Sequence, residues 1–156
     1  MVLGTYPWRV RRTSIIRVVE GAGIEAEQLW HDRSRWAAWL DGFASLQKLE
    51  GAWPQEGSRR VWVTRVGGRG IVMERATAFA AGDGQTVAFE DEKVRGEQRV
   101  LFETDGVRTR VTVTFSLETK ERTPPARRWW LRRQLRQGWE RSLARFSYEL
   151  AAERDR

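Results

Sequence analysis

The stretch Arg110-Val111-Thr112-Val113-Thr114-Phe115-Ser116-Leu117, read on through Pro124-Pro125 to Leu150, decides the fold. Val111, Val113, Phe115 and Leu117 alternate with Arg110, Thr112, Thr114 and Ser116. That period of two marks a strand buried on one face and wet on the other, the habit of an antiparallel sheet. After the polar linker Lys120–Pro125, Leu131, Leu135, Trp139, Leu143, Phe146 and Leu150 recur at steps of four, four, four, three and four. At 100° per residue they fall in a stripe about 120° wide, which predicts an amphipathic helix from Pro125 to about Ala152. Proline suits the first turn of such a helix and no later one. Gly138 lies beside the stripe, where a helix interior normally avoids glycine; it either admits a close neighbour or kinks the helix.

Working towards the N-terminus, Ser14–Glu20 reads as a first strand, broken by Gly21-Ala22-Gly23. Leu29, Trp30, Arg33, Trp36, Ala37 and Leu40 follow at helical spacing over Ile24–Leu40, and Asp32-Arg33-Ser34 can divide this run into two short helices. Strands are then expected at Phe43–Glu50, Ser58–Val66, Ile71–Phe79, Thr86–Glu92, Glu97–Thr104 and Val107–Thr119. Their expected breaks are Gly51 with Trp53-Pro54, Gly67-Gly68-Arg69-Gly70, Ala81-Gly82-Asp83-Gly84, Gly96 and the hairpin pair Asp105-Gly106. The expected class is α+β: a curved antiparallel sheet of about seven strands wrapped around a long C-terminal helix, with two short helices after the first strand. Residues 1–13 read as an arm, 14–152 as one domain and 153–156 as a tail.

Composition narrows the chemistry. A chain of 156 residues has the usual length of one domain, and 40% hydrophobic with 31% charged residues fits a folded protein. With no cysteine there is no disulfide or thiolate chemistry, which fits a cytoplasmic location. The order of apolar and basic residues in 1–12 is the reverse of a secretory signal. One histidine and no cysteine argue against a zinc site, and no cofactor is expected. The net charge of +7 comes almost entirely from arginine, a bias that attraction to an anionic partner or simply genome composition produces.

The segment Ile24-Glu25-Ala26-Glu27-Gln28-Leu29-Trp30, continuing through Trp36 and Trp39 to Leu49-Glu50-Gly51, Pro54, Gly57, Ser58 and Arg59, resembles the N-terminal half of SRPBCC (START-like) proteins. The order of strands and the long last helix extend the likeness from about Ser14 to Leu150. The resemblance implies a helix-grip fold with a cavity for a hydrophobic molecule such as a lipid, quinone or polyketide. It carries over no catalytic set, because active residues differ between branches of that superfamily.

Binding of such a molecule is the leading expectation, with Trp39, Trp62, Met73, Phe89, Phe102, Val113, Phe115, Leu135, Trp139 and Leu143 as candidate lining residues. Aromatics at these spacings serve either as core alone or as core and pocket wall. A polyketide cyclase/dehydrase-like enzyme is the alternative, with Arg65, Glu74, Arg75 and Asp91 as the polar groups to consider. His31 has no nucleophile context beside it and reads as a partly exposed surface residue. The Glu90-Asp91-Glu92 cluster reads as a solvated strand end. One of Glu74 and Arg75 should face inward unless the strand twists both to solvent, and an inward charge needs a partner or a ligand. Arg127, Arg128, Trp129, Trp130, Arg132 and Arg133 open the last helix, with both rings off the apolar stripe. They suit an interaction module that docks on a membrane surface or a partner protein, or they pack beneath the N-terminal arm against Tyr6 and Trp8; nucleic acid is the less favoured partner.

Overall fold

The computed structural model describes residues 11–156. Strand β1 (Arg12–Glu20) leads into helix α1 (Gly23–His31), a 3-10 turn (Arg33–Arg35) and helix α2 (Trp36–Trp39). Strands β2 (Phe43–Glu50), β3 (Arg59–Thr64), β4 (Ile71–Ala80), β5 (Gly84–Glu90), β6 (Val94–Asp105) and β7 (Arg108–Thr119) follow, and helix α3 (Pro125–Arg154) ends the chain. The strands form one antiparallel sheet in the order β1-β7-β6-β5-β4-β3-β2, open between its edges β1 and β2. The interruption expected at Asp32 is present: its carboxylate accepts the Ser34 amide at 3.0 Å and starts the 3-10 turn. Of the arm expected at 1–13, only residues 11–13 are described, and Arg12 and Thr13 belong to β1; any packing of Tyr6 and Trp8 lies outside the described residues.

Gly96 is not a break. It sits inside β6 between Phe89 and Leu117, where a Cβ would stand 1.9 Å from the Ser116 carbonyl oxygen. The residue is glycine because the neighbouring backbone leaves no room, a strand use of glycine that resembles a turn in sequence. The reversal occurs instead at Asp91, whose Oδ1 accepts the amides of Lys93 and Val94, each at 2.9 Å. An acidic side chain thus closes this turn by bonding the backbone just ahead of it.

Register shifts in β2 and β4 mark bulges, which bend strands and raise their twist. The concave face so produced carries Val111, Val113, Phe115 and Leu117 against Leu135, Trp139, Leu143, Phe146 and Leu150 of α3. Trp30 fills the space between. Its ring stacks on Trp139 at 5.7 Å and meets Trp39 at 4.5 Å, Phe146 at 5.2 Å and Phe102 at 5.7 Å. At this end the grip is solid. Arg35 ties the short helices to the end of α3, bonding Glu149 at 2.8 Å and also Glu153.

Candidate functional site

At the other end the helix and sheet part. A cavity of about 230 Å³ lies between the first half of α3 and the β3–β4 and β5–β6 turns. Its apolar wall is made by Leu40, Trp62, Val94, Leu131, Leu135 and Trp139. Asp41, Arg69, Asp91, Lys93, Gln134, Arg141 and Ser142 supply polar groups around it. Gly138 faces this space as well: a Cβ on it would meet Asp41 Oδ2 at 3.4 Å, so its missing side chain lets the α2–β2 connection lie close to the helix.

Alternation on β3 turns Arg60, Trp62 and Thr64 inward. On β4 it turns Val72, Glu74 and Ala76 inward and sends Met73 and Arg75 to the outer face. Glu74 is the inward charge, and its partner is internal. It accepts Arg60 Nε at 2.6 Å and Trp62 Nε1 at 3.3 Å, while the Arg60 guanidinium lies 4.4 Å from the ring centre of Trp36 and 4.7 Å from that of Trp53. The pair is engaged within the protein, Glu74 orients the Trp62 indole in the cavity wall, and neither Arg60 nor Glu74 borders that cavity.

Of the other polar candidates, Arg65 is exposed and outside the wall, and Arg75 borders a second, more open pocket with Met73, Glu74 and Phe89. Met73, expected to line the interior, is 43% exposed. Asp91 borders the cavity, but its carboxylate already serves Arg69 Nε at 2.9 Å in addition to the two turn amides. Trp62, Leu135 and Trp139 line the cavity, whereas Trp39, Phe89, Phe102, Val113, Phe115 and Leu143 are buried around it without bordering it. Sequence reasoning missed Leu40, Asp41, Arg69, Val94, Leu131 and Arg141. Asp41 and Arg69 come from turns and Arg141 from the solvent side of α3, where periodicity gives no inward direction, whereas Leu40 and Leu131 sit on helical stripes and Val94 opens β6. For the three charged residues Gly138 was the one available signal.

Asp41 anchors the rim. Arg141 donates to it through Nε at 3.0 Å and Nη2 at 2.9 Å, and Arg145 through Nη1 at 3.1 Å, while the Asp41 amide donates to Ser142 Oγ at 2.8 Å. Burial pulls the Asp41 carboxyl upward, but the hydrogen bonds and charges of Arg141 and Arg145 outweigh it and hold its pKa below the ordinary value. His31 is half-buried against Phe79, with ring centres 5.8 Å apart. Burial, and then the charge of Arg60, hold its pKa down to about 3, so it stays neutral near pH 7. Its Nε2 is covered and unpaired among the described residues.

The start of α3 is basic and aromatic at its surface. Six arginines and no acid occupy residues 122–139, against a net charge of +7 for the whole chain. Trp129 and Trp130 are 52% and 43% exposed, with Arg133 at 5.2 Å from the first ring and Arg127 at 5.4 Å from the second. Burial, followed by the like charges of Arg11 and Arg128, lowers the pKa of Arg132. Trp130 also borders the cavity, so this surface is continuous with the mouth. No helix among the described residues is long and apolar enough to cross a membrane.

No protein-family model matches the chain, and no curated protein matches it in sequence. Solved structures do match in fold. An aromatase/cyclase, Zhui, from a Streptomyces species superposes with a TM-score of 0.75 at 16% identity, over 91% of this chain and 94% of that one. A START superfamily protein from Mycobacterium smegmatis gives 0.73 at 13% identity, over 89% and 98%. Norcoclaurine synthase from Thalictrum flavum, solved with dopamine and hydroxybenzaldehyde, gives 0.70 at 12% identity, over 92% and 87%.

Proposed function

We propose that this chain, which has the helix-grip fold of START-type and aromatase/cyclase structures, binds an apolar small molecule in the cavity between α3 and the sheet. The observation carrying this reading is a cavity of about 230 Å³ with Trp62, Leu131, Leu135 and Trp139 in its wall, left open in an interior otherwise filled by tryptophan and phenylalanine. Its size suits a one- or two-ring molecule, or one segment of a longer lipid or quinone. The similar fold that holds dopamine and hydroxybenzaldehyde supports a ligand on that scale. Binding is favoured over cyclase chemistry because Asp91, the single polar candidate on the cavity wall, is already engaged by three donors.

Native mass spectrometry of gently purified protein, with tryptophan-fluorescence titration of a quinone and short-chain lipid panel, tests the reading. Retention or binding of one class is expected, and Leu135→Trp, which fills the cavity, should abolish it. If nothing co-purifies and nothing in the panel binds, the proposal fails.

A second reading concerns how the ligand arrives. The six arginines and two exposed tryptophans beside the mouth suit peripheral contact with an anionic membrane, where indole rings and cations both partition. Vesicles containing phosphatidylglycerol should co-sediment with the protein, and Trp129→Ala with Trp130→Ala should release it. Co-sedimentation that survives both substitutions would exclude this surface.

A further inference from the structure

We propose that the cavity selects an organic anion, with Arg69 as the residue that receives the ligand's carboxylate or sulfonate group. This deepens the binding reading above and rests on it. Positive φ angles at Gly67 (87°) and Gly70 (82°) fold the β3–β4 turn back on itself. The Arg69 guanidinium consequently lies over the concave side of the sheet, 5.3 Å from the ring centre of Phe89 and 5.9 Å from that of Trp62. A guanidinium brings five N–H donors. Here Asp91 holds it through Nε alone, and Nη2 is buried with no acceptor among the described residues.

Asp91 has nothing further to offer, because its other oxygen closes the turn on Lys93 and Val94. Arg69 borders the cavity with part of its guanidinium still exposed and with no second acid on it among the described residues, so a ligand's acceptor can take the N–H groups on that exposed side. The surroundings have the matching charge. Lys93 borders the same cavity and has no acidic partner among the described residues, while Asp41 is shared by Arg141 and Arg145. The planar fork of an arginine fits a carboxylate or sulfonate, and Trp62, Leu135 and Trp139 offer apolar walls next to it. The ligand class that uses both features is a flat or chain-like apolar body with one anionic group.

Two fluorescent probes that share an aromatic body test this: anilinonaphthalene sulfonate, which is anionic, and N-phenylnaphthylamine, which is neutral. The anionic probe should bind the intact protein about tenfold tighter or more. Arg69→Gln should remove that preference and leave the neutral probe's affinity in place, and Lys93→Gln should lower it only a few-fold. Arg128→Gln with Arg132→Gln should leave the preference unchanged. Equal affinity for both probes, or a preference that survives Arg69→Gln, would overturn the assignment. Binding of neither probe would instead sink the cavity-binding reading. Should Arg69→Gln lose its fold by circular dichroism, decanoate must displace the sulfonate probe from the wild-type protein and decanol must not. Equal displacement overturns the proposal as well.

Discussion

The two halves of α3 are one continuous helix in two different environments. From Trp139 to Leu150 its stripe is buried to near completion, and its polar flank is held by Arg35 and Asp41. From Pro125 to Gln137 Leu135 alone is buried, Leu131 is half-buried and most of the remaining surface is arginine, tryptophan and glutamine. The helical period is the same throughout; what changes is the opposing surface. Trp30, Trp39 and Phe102 advance to meet the second half, while the turns at Arg69 and Asp91 stand back from the first. Stability and binding capacity are thereby assigned to different ends of the same helix.

The strongest way to break this contrast is truncation at each end. Phe146→Ala in the solid half should cost about 3–5 kcal/mol, because the packed rings around it cannot collapse into the space, whereas Leu131→Ala should cost less than about 1 kcal/mol. Chemical denaturation of both variants checks it, and similar losses would mean that the two halves are packed alike.

Acid probes the solid end through His31, on the helix whose Trp30 packs against Trp139 and Phe146. Its pKa is about 3 in the folded chain against an ordinary 6.5, so the unfolded chain binds the extra proton between those values. Its contribution to stability is complete above pH 6.5 and is lost as pH falls towards 3, with a slope of at most about 1.4 kcal/mol per pH unit. Urea midpoints should therefore drop between pH 6.5 and the carboxylate range, and His31→Gln should flatten that drop. An unchanged profile in the variant would show that another group titrates there.

The smallest expected effect lies at the junction of the halves. Gly138→Ala should stabilise the helix by about 0.5–1 kcal/mol, since its Cβ meets only ordinary contact at 3.4 Å from Asp41. Gly138→Leu should project into the cavity and compete with ligand. A rise in thermal midpoint for the alanine variant, with loss of binding for the leucine variant, would sharpen the boundary; a destabilised alanine variant would mean that the rim tolerates no side chain there.

How much of this was legible in the chain follows from what periodicity encodes. The alternation through Val113 and the stripe through Trp139 fixed which faces are buried, so the sheet, the helix and the hairpin at Asp105-Gly106 could be read directly. Gly96 misled because a glycine excluded from having a side chain by the adjacent strand looks like a glycine that turns the chain. Met73 misled because a short apolar strand does not declare which of its faces is inward. Half of the site was legible for the same reason: Trp62, Leu135 and Trp139 sit on periodic faces.

Arg69, Asp91 and Asp41 became neighbours of the cavity only through tertiary structure. Each belongs to a turn or connection, and each found its partner across the fold: Arg69 with Asp91, and Asp41 with Arg141 and Ser142. By itself the sequence determined which surfaces must leave water. Three-dimensional packing decided where they fail to meet, because the space left between a bulged sheet and a helix depends on the volumes facing each other across it, and no local pattern records both sides.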